Sequence, residues 1–339
     1  MRKNFRRLLS YVVILAVFLG ISNCSSGKVN AAPPICTWTG AVSSDWSTVG
    51  NWDCGRVPVG EDYVVIPETT RDPVYSTGST VTSITIEEHG ALFIEPGATP
   101  DAETWTIDGT LYVDTSESSL VAINGDDPSW VVNVSATGSI INQNSGGLII
   151  QSNFNNAGSV YFPLGGFAMQ RSGTHTGFFE GLELYLGSGF TGQTIDFNTG
   201  SQITATKIYV KTNVNIFGMY NPPTTGSKLM LDYTSTLNYS LTIKPGASVV
   251  NMPETTEINN MGKLILETQT YDYSMPKLWL FSGILENQDA LTITNQLTWS
   301  GGGFAGSGTT TIGSSVMPSI YGSSHTIDGQ HRDSQLEWR

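Results

Sequence analysis

A small-residue step, Gly-Ser or Gly-Ala followed by apolar alternation, recurs along this chain and constrains its fold more than any other feature. It appears as Pro96-Gly97-Ala98, Thr137-Gly138-Ser139-Ile140-Ile141, Ala157-Gly158-Ser159-Val160, Thr199-Gly200-Ser201-Gln202-Ile203 and Pro245-Gly246-Ala247-Ser248-Val249. Successive glycines are 41, 20, 42 and 46 residues apart, which reads as one or two units of about 20–23 residues. A unit of that size exposes an apolar face when alone and buries it only by stacking on neighbours. Short runs of β-prone residues bounded by Gly, Asn, Pro or Asp support the same reading: Val81 to Ile86, Ala91 to Ile94, Gly147 to Ile150, Leu182 to Leu186 and Lys207 to Val210. The expected fold is all-β, a right-handed parallel β-solenoid. The handedness follows from the chirality of parallel crossovers, and a β-sandwich is the alternative.

The first 31 residues read as a secretory signal. Arg2, Lys3, Arg6 and Arg7 precede the apolar stretch Leu8 to Ile21, and Val29-Asn30-Ala31 fits a small-residue cleavage site. Lipoprotein processing at Cys24 is the rival reading, and Asn23 directly before the cysteine fits it poorly. The chain is thus expected to be secreted or displayed on a cell surface, with no transmembrane helix after cleavage. Removing the leader leaves 11 Lys and Arg against 29 Asp and Glu. That balance disfavours nucleic acid and anionic membranes, which need clustered cations. Charged residues make up 13% of the chain, against about a quarter in ordinary domains, so polarity rests on Thr, Ser, Asn and Gly.

Residues 32–67 differ from the repeats that fill 68–339. Trp38, Trp46 and Trp52 fall close together among Gly40, Asp45, Gly50, Asn51, Asp53 and Gly55. Cys36 and Cys54 are the two cysteines after the leader, and an even pair in an exported chain predicts a disulfide. The expectation is therefore an N-terminal, Trp-rich, disulfide-containing cap. Thr37-Trp38-Thr39-Gly40, Asp45-Trp46, Gly50-Asn51-Trp52 and Gly55-Arg56-Val57-Pro58 resemble the opening segment of bacterial secreted β-helix proteins of the autotransporter-passenger and adhesin-like kinds. Leu291 to Thr309, with Gly301-Gly302-Gly303 at its centre, resembles their repeats. The resemblance implies a structural or adhesive surface module. The chain stops at Gln335 to Arg339 just after Ser324 to Gly329 opens another unit. This suggests a repeat array cut short, with Ile320, Ile327 and Leu336 left uncovered and prone to end-to-end self-association.

Catalytic chemistry finds little support. A glycoside hydrolase needs two carboxylates across a groove, and the nearest local set is Asp126-Asp127 with Asp114 and Glu117 upstream. Asn124-Gly125 and Asp127-Pro128 read more simply as turns. Glu180 and Glu183 flank Leu182 at a spacing that does not place them side by side. The histidines His89, His175, His325 and His331 lack metal-ligand spacing, and His175, in Gly173-Thr174-His175-Thr176-Gly177, reads as a loop residue. No cofactor is expected. Calcium held by acidic turns is conceivable without the Gly-Gly-x-Gly-x-Asp repeat of calcium β-rolls. A polysaccharide lyase or hydrolase on the same scaffold stays open as an alternative, as does a carbohydrate-binding module. For the last, Trp105, Trp130, Tyr185, Tyr209, Tyr220, Tyr233, Tyr239, Tyr271, Tyr273 and Trp279 are the aromatic pool. Trp105, Trp130, Tyr271 and Tyr273 are the candidate glycan contacts, with glycans or other surface proteins as partners.

Overall fold

The computed structural model describes residues 34–76, 79–114, 120–124, 127–188, 192–231, 238–259, 261–267, 272–322 and 325–327, and the backbone of 335–338. The leader and the possible lipidation site at Cys24 lie outside the described residues. So do Glu117, Asp126, Tyr233, Tyr271 and His331. The described residues form a parallel β-solenoid of about 11 turns. Among them the helical content is the single 3-10 turn Val49–Asn51, and no helix is long and apolar enough to cross a membrane.

The first turns carry strands on two faces, and from Leu120 onward the coil uses three. The first face stacks fourteen strands, from Ile35–Thr37 and Tyr63–Ile66 to Gly302–Ala305 and His325–Ile327. The second face carries Val74–Tyr75, Ala91–Ile94, Thr110–Val113 and Ser139–Asn142. The third carries Leu120–Ile123, Gly147–Ile150, Lys228–Leu231 and Thr255–Ile258. Long strands such as Ser159–Met169 and Tyr273–Leu280 bend from the second face onto the third, with register shifts between Phe162 and Gly166 and between Met275 and Lys277. Every named pairing among these strands is parallel, and strict alternation turns every second side chain inward. Leu291, Ile293, Leu297 and Trp299 all point into the core, as their period-two spacing predicts.

The recurrent glycine step has a steric cause, although its five instances are not equivalent. At the corner between the first and second faces the backbones of successive turns nearly touch. A Cβ on Gly158 would lie 2.1 Å from the carbonyl oxygen of Gly138, so only glycine fits there without displacement. Gly138 and Gly158 occupy this position. At Thr199-Gly200-Ser201 and Pro245-Gly246-Ala247 the glycine sits one residue earlier, at positive φ, and Ser201 or Ala247 takes the corner. Gly97 belongs to a different, open turn that follows Ala91–Ile94. The five glycines therefore mark two corners rather than one repeated site.

The tryptophan segment is built onto the first turns. Trp38 N–H donates to the Val65 carbonyl and Trp46 N–H to that of Val74, so the segment spans the first and second faces. Trp46 packs on Trp52 at 4.7 Å and on Tyr75 at 4.9 Å in edge-to-face geometry, and Trp38 meets Trp52 at 5.0 Å. Asn51 explains the Gly-Asn-Trp motif. It is fully buried, its Oδ1 accepts from Val42 and Ser43 N–H, and its Nδ2 donates to Ser43 Oγ and the Asp45 carbonyl. Cys36 and Cys54 form the expected disulfide, their Cα atoms 5.1 Å apart.

His175 departs from the sequence expectation. It ends the strand Gly173–His175 and is fully buried, not a loop residue. The inward ladder Ile66, Ile86, Ile107, Val134, Asn156, His175, Phe197 and Ile216 explains why: Gly173 is itself the first residue of this short strand, Gly177 lies in the corner after it, and register carries His175 inside. Near the last described turn Met317, Ile320, Tyr321 and Ile327 are exposed; the side chain of Leu336 is outside the described residues.

Candidate functional site

The outward positions of the third face form two columns along the coil axis. One reads Leu120, Gly147, Gly166, Glu183, Lys207, Lys228, Thr255, Lys277 and Gln296; the other reads Ala122, Ile149, Ala168, Tyr185, Tyr209, Met230, Glu257, Trp279 and Thr298. The change at one point is abrupt. Gly147, Gly166 and Ala168 put almost nothing above the sheet, whereas Glu183 and Tyr185 on the next turn stand well above it. The step opens a groove of about 550 Å3, lined by Leu120, Gly147, Gly166, Ala168, Glu183 and Tyr185, with Ser145, Gln170, Ser188 and Lys211 around its edge.

The downstream wall is braced by stacking and hydrogen bonds. Tyr185 stacks on Tyr209 with ring centroids 4.5 Å apart and planes 8° from parallel. The separation matches the spacing of neighbouring strands, so the stack runs along the coil axis. One face of Tyr185 is covered by Tyr209. The opposite face is turned to the preceding turn, where Gly166 and Ala168 stand. The Tyr185 hydroxyl donates to Glu183 Oε2 at 2.6 Å, and Lys207 Nζ donates to Glu183 Oε1 at 2.7 Å. Burial pushes the Glu183 carboxyl up, but the hydrogen bonds from Lys207 and Tyr185 outweigh it, and the group is held below its ordinary pKa. Burial, with the neighbouring Glu183 carboxylate, moves the Tyr185 phenol well above its usual range. Both groups keep one ionisation state across ordinary pH. Further along the same face, Lys228 pairs with Glu257 at 2.5 Å and lies 5.6 Å over the Trp279 ring.

The other sequence candidates are placed elsewhere. Trp105 is fully buried, its indole N–H donating to Asn124 Oδ1 at 2.8 Å. Tyr273 is also buried in the core. Trp130 is partly exposed beside the first face, in the turn before Val131–Val134, away from the groove. Of the wider aromatic pool, Tyr220 and Tyr239 are core residues, while Tyr185, Tyr209 and Trp279 share the third face. Strand alternation alone does not separate these groups, because aromatics occupy both inward and outward positions along the coil. The separating signal is the cross-turn register of Gly147 and Gly166 against Tyr185, which irregular turn lengths conceal in a single sequence.

The acids do not converge. Asp127 accepts from the N–H and hydroxyl of Ser129 at 2.8 and 2.7 Å, the arrangement of a turn cap, which also lowers its pKa. Asp114 accepts from the Asn144 side chain. Glu180 stands on the second face and Glu183 on the third. Among the described groove residues Glu183 is the single carboxylate, whereas hydrolysis of a glycosidic bond by a carboxylate pair requires two. Among the described residues no group of three or more His, Cys, Asp or Glu is placed to hold a metal ion.

A family model described as a domain of unknown function (DUF8693) matches residues 37–127. The match spans the tryptophan segment and the first turns, less than half of the chain, and reaches the groove lining only at Leu120. Neither the curated proteins nor the solved structures include a match.

Proposed function

We propose that this chain is an exported, surface-displayed adhesion module of a bacterium, and that the third-face groove is its recognition site. The observation that carries the reading is the combination of a stacked, hydrogen-bonded wall, Tyr185 on Tyr209, with a floor stripped to Gly166 and Ala168. A solenoid needs side chains inward for stability and tolerates any outward residue, so a preformed concave break in an outward column suits ligand binding. The leader sequence and the low-charge, acidic composition support export. The lone, neutralised Glu183 favours binding over hydrolysis or lyase chemistry.

The test is adhesion of the purified chain to panels of mucin, plant cell-wall fibre and bacterial surface polymer. The wild-type chain is expected to be retained on at least one panel, and a Gly166→Leu variant, which fills the groove, to be released. Release of new reducing or unsaturated ends from any polysaccharide at a useful rate would overturn the reading in favour of an enzyme.

A further inference from the structure

We infer that the groove takes a neutral carbohydrate whose sugar ring lies flat on the free face of Tyr185, extending the Tyr209–Tyr185 stack by one member. The inference rests on reading the groove as the recognition site and names what is recognised. The Tyr185 ring has one face backed by a parallel ring and the other open over Gly166 and Ala168, and the apolar face of a pyranose packs on such a surface. Around that plane stand groups that pair with hydroxyls: the Glu183 carboxylate, the Gln170 amide, Ser145, Ser188 and Lys211. Two turns carry no bulk in the first outward column, which opens about 10 Å along the axis at ordinary strand spacing.

Competing ligand classes fit less well. An extended peptide binds a sheet by pairing with an unpaired strand edge, but the strands under the groove are paired on both sides, 147–150 between 120–123 and 166–169, and 166–169 between 147–150 and 183–186. A polyanion needs clustered cations, but among the described groove residues Lys211 is the single one, and Lys207 behind the wall is held by Glu183, in a chain of net charge −13.

The geometry also sets the direction of the ligand. Stacking runs along the coil axis, so the plane of a sugar stacked on Tyr185 lies across it. A bound chain therefore crosses the face instead of following the coil. A face four residues wide measures about 13 Å, room for roughly two or three sugar units.

The experiment is calorimetric titration of the full chain with neutral gluco-, manno- and galacto-oligosaccharides from mono- to hexasaccharide, with acidic oligosaccharides alongside. At least one neutral series is expected to bind, with affinity reaching a plateau by the trisaccharide. Tyr185→Ala is expected to weaken it roughly tenfold or more, Gly166→Leu to abolish it, and Tyr185→Phe, which keeps the ring, to retain most of it. Both tested positions point outward, and unchanged melting would separate lost binding from lost folding. Adhesion in the panel assay with no neutral oligosaccharide bound would overturn the carbohydrate assignment and leave the adhesion reading standing; failure of both would overturn both. Preference for the acidic series, affinity that keeps rising to the hexasaccharide, or binding indifferent to Tyr185→Ala would each contradict the proposed stack.

Discussion

Of the regions of this solenoid where aromatic side chains gather, the segment around Trp38, Trp46 and Trp52 and the third face around Tyr185 and Tyr209 are held in different ways. In the tryptophan segment the rings are buried edge to face. The Trp38 and Trp52 indole N–H groups are spent on the carbonyls of Arg71 and Trp46, and a disulfide and the fully bonded Asn51 close the loop. On the third face the rings lie parallel and half-buried, braced by a carboxylate, next to residues that contribute no bulk. The first arrangement secures the coil. The second stands outside the core beside a floor without bulk, which is why we assign recognition to it.

Substitutions should separate the two regions, and the largest effect belongs to the tryptophan segment. Trp52→Ala removes the ring that touches both other tryptophans and is expected to lower stability by about 4 kcal/mol, read as a lower denaturation midpoint. A smaller loss, about 2 kcal/mol, is expected for Asn51→Ala, which strands the Val42 and Ser43 N–H groups. An unchanged midpoint in both would mean that the segment is an ornament on an independently stable coil.

A third region sharpens the contrast. His175 sits among Phe154, Phe179 and Phe197 with neither ring nitrogen hydrogen-bonded, and burial lowers its pKa to about 3. The buried Asn156 on the neighbouring turn accepts from Gly158 N–H and donates to the Phe178 carbonyl, whereas His175 has no such outlet. Above its ordinary pKa of about 6.5 the imidazole is neutral in both folded and unfolded chains. Between about 6.5 and about 3 the unfolded chain takes up a proton that the folded chain refuses. Stability should therefore fall as the pH drops through that window, by up to about 1.4 kcal/mol per pH unit. His175→Leu is expected to raise stability by about 1 kcal/mol at neutral pH and to remove this slope in denaturation followed from pH 7 to pH 4. An unaltered slope would show that other groups govern acid sensitivity.

Much of the architecture is legible in the sequence. Period-two alternation and corner glycines specify parallel coils, and the cysteine pair and tryptophan spacing specify the capped first turns. The site is not legible in the same way. Trp105 and Tyr185 both lie near the ends of short β-prone runs, yet one points inward to Asn124 and the other outward over Gly166. Parity along a strand is set by the corners before it, and corners here vary from one to several residues. His175 is illegible for the same reason, because the glycines on either side imitate a loop. Gly97 marks a second corner that resembles the first in sequence alone.

The smallest effect on stability and the largest on recognition should fall at one residue. Gly166 has an ordinary backbone conformation, and a Cβ there would lie 3.3 Å from the Tyr185 ring and 3.9 Å from the Glu183 carbonyl oxygen, a contact that a shift of the ring by a few tenths of an ångström relieves. Gly166→Leu should therefore leave stability within about 0.5 kcal/mol of the parent. Measuring melting temperature and surface retention on the same Gly166→Leu sample tests the central claim most directly. The account predicts an unchanged melting temperature with retention lost. Full retention by a folded variant whose groove is filled would contradict it.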